Sequence, residues 1–194
     1  PNQWNRRQFQ SLLSCSLVSA ILLPGWANGN ELDSDVVIIG GGLGGCAAAI
    51  ASLRNGLRVT MTEQTDWLGG QLTSQGVPPD EHQAIETHGA NRSYRELRSA
   101  IRDYYRKHYQ LTEQAKADPY FNPGRGSVSK LCCEPRVAVA VLDQLLKPYI
   151  ASGKLNLLLQ TVPVSADVDG DRVRAIEVES VDGTRRHLTG SYFV

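Results

Sequence analysis

The pattern of apolar and polar positions begins with a strand, a helix and a second strand. Residues 36–39 are four consecutive β-branched residues bounded by glycine, which predicts a buried strand. Strong helix formers follow from Cys46 to Leu53, and Gly56 stands where a helix C-cap is expected. A second apolar run, from about Leu57 to Glu63, predicts another strand, so the segment as a whole predicts a parallel βαβ unit.

The middle of the chain, residues 73–134, differs in character and is predicted to be an insertion of loops around one helix. Pro- and Gly-rich loops flank residues 93–110, where Ser93 and Glu96 are spaced as a capping box. One predicted helix face is apolar or aromatic: Tyr94, Leu97, Ile101, Tyr104 and His108. The other faces carry Arg95, Arg98, Arg102 and Arg106. Two pairs are spaced for ion pairs on a solvated face: Arg92 with Glu96, and Asp103 with Lys107.

The last third of the chain has the pattern of structural scaffold. A helix is predicted from Pro135 until Pro148 and Gly153 stop it, followed by a fully apolar strand in residues 155–161 that is expected beside the Glu63 strand. From Pro163 to Leu188 apolar and polar residues alternate across two Asp-Gly turns, and a short final strand follows at residues 192–194. The predicted fold is α/β and Rossmann-like, with a parallel sheet, a small antiparallel meander and the helical insertion.

Glycines at the first strand-to-helix turn indicate a dinucleotide site. Gly40, Gly42 and Gly45 form G-x-G-x-x-G, in which the first allows a tight turn, the second admits a pyrophosphate and the third lets helix and strand approach. Gly44 lies in the same turn, and the helix N-terminus offers N–H groups to the phosphates. Glu63, about 20 residues on, is placed to accept hydrogen bonds from ribose hydroxyls, which disfavours NADP. FAD and NAD both use this arrangement.

After Glu63 the chain continues EQTDWLGGQLTSQGVPPDEH, and here it resembles FAD-dependent oxidoreductases with a glutathione-reductase-like FAD-binding domain. The likeness extends through SYRELRSAIRDYYR, NPGRGSVSKLCCEPRVA and the last strand. It implies FAD as the cofactor, a cofactor-contacting loop over Gly69–Thr73, and a backbone contact from Val162 to adenine. The loop residues expected to contact the cofactor are Gly69, Gly70, Gln71 and Thr73. The implied activity is oxidation of a small organic substrate by hydride transfer to flavin.

The resemblance also bears on domain boundaries. Similar proteins continue beyond the final strand into an Asp-Ala-Thr segment, so we expect residues 35–194 to be an FAD-binding domain that is incomplete at its C-terminus. Two alternatives remain open from the sequence. One is an NAD-binding dehydrogenase or thiazole-synthase-like enzyme, and the other is a truncated, non-catalytic FAD-domain fragment.

The first 27 residues have the pattern of a signal peptide. A basic start precedes an apolar stretch, residues 12–23, and then small residues at Gly25 and Ala27. The apolar stretch is too short to span a bilayer, so no stable membrane insertion is expected. Arg6, Arg7 and Phe9 resemble a twin-arginine signal, which implies export of the folded protein through that machinery to the periplasm.

Composition narrows the remaining chemistry. The chain has 194 residues, 41% of them hydrophobic, and 20 basic residues balance 20 acidic ones, so no global charge argues for nucleic acid. Cys46, Cys132 and Cys133 lack zinc or dithiol spacing, and no metal site is predicted. Cys46 lies in the first helical turn, where the helix N-terminus can lower the pKa of a thiol. The preferred interpretation is that Cys46 is a small packing residue. His82, beside two carboxylates, is a weak candidate for a proton acceptor; the catalytic residues, substrate and electron acceptor stay unassigned.

Overall fold

The computed structural model describes residues 30–79 and 81–194, which form one six-stranded sheet with its main helices on one face. The strands are β1 (Glu31–Ile39), β2 (Val59–Thr62), β3 (Leu155–Leu158), β4 (Thr161–Asp169), β5 (Arg172–Ser180) and β6 (Arg185–Phe193). The helices are α1 (Leu43–Arg54), α2 (Arg92–His108), α3 (Glu113–Ala117) and α4 (Pro135–Ala151), with one 3₁₀ turn at Gly70–Leu72. The strand order is β3-β2-β1-β6-β5-β4, and the predicted α/β class is confirmed.

The parallel half of the sheet is built as the apolar pattern predicts. β1 pairs parallel with β2, and β3 adds parallel on the far side of β2. Side chains on one face of β1, such as Val36 and Ile38, pack against α1 and α4. Ala49 of α1 is fully buried, so the helix lies close to the sheet and its N-terminus is fixed at the end of β1.

The meander belongs to the same sheet, and the predicted separate final strand is wrong. β6 runs without interruption and pairs antiparallel with β5 on one edge and parallel with β1 on the other. Gly190 allows this close pairing, because a Cβ there would lie 3.0 Å from Cγ2 of Val37. The sheet also curls, so that the Thr161 N–H donates to the Glu63 carbonyl at 2.9 Å and β4 starts beside the end of β2. A second, smaller core of Val37, Val178 and Leu188 forms inside this curl.

Helix α2 begins as the pattern predicts but is capped by a different residue. Asn91 is the N-cap, and its side-chain oxygen accepts a hydrogen bond from the Tyr94 N–H. The predicted capping box is wrong, because the Ser93 hydroxyl and the Glu96 carboxylate instead accept hydrogen bonds from the Arg54 guanidinium of α1. An asparagine one position before the helix thus satisfies one of the free N–H groups of the first turn.

Two arginines predicted to be exposed on α2 are buried. The side chain of Arg98 is 2% exposed and that of Arg102 is 4% exposed. The loop that precedes α2 supplies the reason: Glu81 pairs with Arg98, and Glu86 pairs with both arginines. A buried arginine is expected to have such partners, since an unpaired charge is costly to bury.

Of the two exposed ion pairs predicted on α2, one is confirmed and one is wrong. Arg92 pairs with Glu96 at 3.4 Å as the spacing predicts. Asp103, however, accepts a hydrogen bond from Arg106 at 2.6 Å in place of the predicted partner, Lys107. Side chains three residues apart and four residues apart are both neighbours on a helix surface, so Asp103 can pair with Arg106 as well as with Lys107.

Helix α4 begins at Pro135 as predicted but continues through Pro148 and ends at Ala151, with Gly153 in a left-handed conformation at φ +71°. A proline near the end of a helix removes a single hydrogen bond, so the last turn persists. Leu142 and Leu146 of this helix are fully buried, whereas Leu145 is half-buried. None of the helices in the described ranges combines the length and apolar content needed to cross a membrane.

Candidate cofactor site

The turn between β1 and α1 has the geometry that its glycines predict. Gly40 adopts φ +111°, which side chains rarely tolerate. Gly42 is the N-cap of α1, and a Cβ there would meet no atom within 4 Å. Gly45 is needed for packing, because its Cβ would lie 2.0 Å from the Gly40 carbonyl oxygen. The turn is therefore tight at both ends and open at Gly42.

The N-terminus of α1 is arranged to attract an anion. No side chain caps it, and its first turn carries no acidic residue. The first N–H groups of a helix lack intrahelical acceptors, and the helix dipole places partial positive charge there. A phosphate is the ligand that this combination favours.

The second glycine loop packs directly on the first. The Gly69 N–H donates to the Gly41 carbonyl at 2.8 Å, and Gly69 forms a parallel bridge with Gly42. Gly70 has φ +54°, and a Cβ there would lie 3.1 Å from the Gly42 Cα. The two loops thus form one surface, which sequence spacing alone does not reveal.

Other residues of the second loop have different positions. Thr73 is buried, and its hydroxyl donates to the Leu68 carbonyl at 2.6 Å, so this side chain closes the loop on itself. Gln71 is exposed and lines a cavity of about 310 Å³ together with Gly44 and Tyr94. Contact of Thr73 and Gln71 with the cofactor stays a prediction.

Glu63 follows β2 and points its carboxylate back to the glycine turn. Its side chain is almost entirely protected, since the residue is 6% exposed. Oε2 accepts from the Gly41 N–H at 3.1 Å, and Oε1 accepts from both the N–H and the hydroxyl of Thr65 at 2.8 Å. Gly41 and Thr65 were not among the predicted site residues. The sequence indicates them only by position, since Gly41 precedes Gly42 and Thr65 comes two residues after Glu63.

Two adjoining cavities connect these residues. One, of about 360 Å³, is lined by residues that include Gly40, Gly42, Glu63 and Gly70. The other, of about 490 Å³, includes Thr65, Gln160 and Val162, and Gln64 borders both. Five of the ten predicted cofactor residues therefore line these two cavities at the carboxyl ends of β1 and β2, the usual place for ligands of such sheets: Gly40, Gly42, Glu63, Gly70 and Val162.

Cys46 supports the turn and is not activated. Its thiol donates to the Gly41 carbonyl at 3.3 Å, and burial raises the pKa of Cys46 to about 12. The alternative of a lowered thiol pKa is wrong, and the favoured reading, a small packing residue, is confirmed. Cys132 and Cys133 are free thiols, and burial raises the pKa of Cys133 to about 11.

His82 lies outside the described cavities. Its ring is exposed, and Nδ1 accepts a hydrogen bond from the Ala84 N–H at 3.1 Å. The neighbouring Glu81 is committed to Arg98 and to the Tyr94 hydroxyl, and Asp80 lies outside the described residues. A role for His82 as proton acceptor stays a prediction. Across residues 30–79 and 81–194 no group of His, Cys, Asp and Glu is arranged to hold a metal ion.

Comparison with known proteins decides which cofactor this geometry serves. The family model described as FAD dependent oxidoreductase matches residues 35–194. The chain belongs to that family. The expectation of FAD is thereby confirmed over NAD, and the open space at Gly42, the uncapped helix and the buried Glu63 fit its pyrophosphate and adenosine.

Curated relatives share part of the sequence of this chain, and a solved structure shares its fold. Leghemoglobin reductase of Vigna unguiculata is 37% identical over 94 residues, 46% of this chain and 18% of that protein. Dihydrolipoyl dehydrogenase 2, mitochondrial, of Arabidopsis thaliana is 43% identical over 60 residues, 31% of this chain and 12% of that protein. The solved structure of Mycobacterium smegmatis Sdh1 in complex with UQ1 superposes with a TM-score of 0.53 at 14% identity, covering 84% of this chain and 33% of that one. The similarity to Sdh1 supports the fold alone, and the chain spans a minor part of each protein.

Proposed function

We propose that the protein containing this chain oxidises a small organic substrate by transferring hydride to FAD. The observation that carries the proposal is the joint surface made by the open Gly42 and the Gly69–Gly70 loop, beside a buried ribose acid. When bound, FAD supplies the hydride acceptor, and the protein supplies binding and orientation.

We assign the pyrophosphate to the turn at Gly40, Gly42, Gly44 and Gly45, where the α1 N–H groups are available. The adenosine ribose is assigned to Glu63, and adenine to the cavity lined by Val162. The loop of Gly69, Gly70, Gln71 and Thr73 is assigned to the part of the cofactor nearer the flavin. These residues bind and orient FAD, and none is assigned a proton-transfer step.

The direct test is anaerobic reduction of the bound flavin in the full-length protein. A panel of alcohols, amines and reduced nicotinamides is added, and loss of the visible flavin absorbance is followed. Bleaching by a small alcohol or amine supports the proposal. Bleaching by reduced nicotinamide alone, in a protein that a chemical reductant also bleaches, contradicts it and makes the protein a nicotinamide-dependent reductase.

We also propose that residues 1–27 direct export to the periplasm through the twin-arginine machinery. The supporting pattern is Arg6 and Arg7 before the apolar stretch. This machinery carries folded proteins, which suits a protein that acquires FAD before export. A variant with both arginines replaced by lysine is expected to stay in the cytoplasm with its flavin bound. Export of that variant at the normal level, measured by cell fractionation, contradicts the proposal.

A further inference from the structure

The Glu63 carboxylate has few acceptor positions left for a ligand. An ionised carboxylate offers about four lone-pair positions on its two oxygens. The Thr65 N–H and hydroxyl, each at 2.8 Å, occupy both positions on Oε1. The Gly41 N–H occupies one position on Oε2 at 3.1 Å. One acceptor position therefore remains, on Oε2.

The Thr65 hydroxyl decides whether Oε1 stays occupied. Its single hydrogen has two acceptors within reach, Glu63 Oε1 at 2.8 Å and the Trp67 carbonyl at 2.9 Å. Hydrogen bonds to an ionised acceptor are about twice as strong as those between neutral groups, so the carboxylate is favoured. The Trp67 N–H donates to the Thr65 oxygen at 3.2 Å, which fixes the side chain in this position.

We propose that Thr65 sets the number of ribose hydroxyls that Glu63 accepts, and limits it to one. This inference rests on the proposed assignment of the adenosine ribose to Glu63. Thr65 acts here as a positioning and specificity-determining residue, because it acts through the carboxylate. It also borders the cavity assigned to adenine, which places it next to the nucleoside.

The test uses the full-length protein after removal of FAD and compares binding of ADP, 2′-deoxyADP and 3′-deoxyADP by calorimetry. In the wild type, one deoxy analogue should bind like ADP. The other should bind about ten-fold weaker or more, as expected for loss of a hydrogen bond to a charged group. Thr65→Val opens a position on Oε1, so both deoxy analogues should then bind more weakly than ADP. Thr65→Ser keeps the hydroxyl and should restore the wild-type pattern.

The outcomes separate this inference from the site assignment. Loss of affinity for both analogues in the wild type overturns the inference, as does an unchanged one-hydroxyl pattern in Thr65→Val. Equal binding of all three nucleotides by the wild type shows that the ribose does not lie at Glu63 and overturns that assignment as well. Absence of ADP binding by the wild type contradicts the cofactor site itself. A general loss of stability in Thr65→Val would weaken all three nucleotides alike, so the ratio between them is the deciding quantity.

Discussion

Replacing Gly42 with alanine separates the cofactor site from the stability of the fold. Gly42 has φ −61° and ψ 178°, which alanine adopts freely, and the new Cβ would meet no protein atom within 4 Å. The free energy of unfolding without FAD should therefore stay within about 1 kcal/mol of the wild type, because the gain from restricting the unfolded chain is offset by the poorer N-cap preference of alanine. The methyl group would, however, occupy the space assigned to the pyrophosphate.

The expected loss of affinity follows from the contacts that a displaced phosphate gives up. Loss of one hydrogen bond to a charged group costs about 1.5–3 kcal/mol, which corresponds to FAD binding at least ten-fold weaker. Gly45→Ala is the matched comparison, since its Cβ would lie 2.0 Å from the Gly40 carbonyl and should destabilise the protein by about 1–3 kcal/mol. Flavin titration and denaturant unfolding measure the two effects. Wild-type FAD affinity in Gly42→Ala would refute the assignment of the pyrophosphate.

Four further predictions concern the helices, the buried charges and a buried thiol. Arg98→Met should lower the free energy of unfolding by about 3–5 kcal/mol, because it leaves the buried Glu81 carboxylate without an ionic partner, while Glu86 keeps Arg102; a loss below 1 kcal/mol in urea unfolding contradicts this. Burial raises the pKa of Glu86, but hydrogen bonds from Arg102 and Arg98 outweigh this effect and lower the pKa below its ordinary value of 4.5. The ionised Glu86 therefore stabilises the folded protein above pH 4.5, and this contribution is lost as the pH falls through the lowered pKa. Glu86→Gln should flatten this acid dependence. Asn91→Ala should destabilise the protein by about 1 kcal/mol, and Ser93→Ala should destabilise it by less. The reverse order in thermal unfolding would support the capping box of Ser93 and Glu96 and contradict Asn91 as the N-cap. Cys46, with a pKa of about 12, should resist iodoacetamide near pH 8 until the protein is denatured, and equal labelling of folded protein counts against burial.

Sequence reasoning succeeded where the structural requirement is local. Gly40 has a positive φ, and a Cβ at Gly45 would lie 2.0 Å from the Gly40 carbonyl oxygen, so both positions require glycine. Glu63 was singled out because it ends the second strand about 20 residues after the glycines, and its carboxylate does point back to the turn; its contact with the ribose stays a prediction. The family model spans this segment, and the family match confirms the cofactor that it serves.

Sequence reasoning failed where a partner comes from a distant segment without periodicity. Arg98 and Arg102 have the spacing of a solvated face, and the carboxylates that bury them, Glu81 and Glu86, lie in an irregular loop. The continuity of β6 was missed for a related reason, since no local pattern shows that one strand pairs with β1 and β5 at once. Such contacts depend on the position of the loop or sheet in space, which residue order does not encode directly.

Gly41 shows why the parts of the candidate site are not independent. Its N–H donates to Glu63, and its carbonyl accepts from both the Gly69 N–H and the Cys46 thiol. One residue therefore joins the glycine turn, the Glu63 carboxylate and the second glycine loop, three features that the sequence presents separately. Protein atoms make these bonds, so the fold positions the three features relative to one another. A change at Glu63, Gly69 or Cys46 should consequently alter the positions of the other two. Because such a shift changes the surface that a ligand meets, ligand selectivity is a more informative measure of this site than the free energy of unfolding.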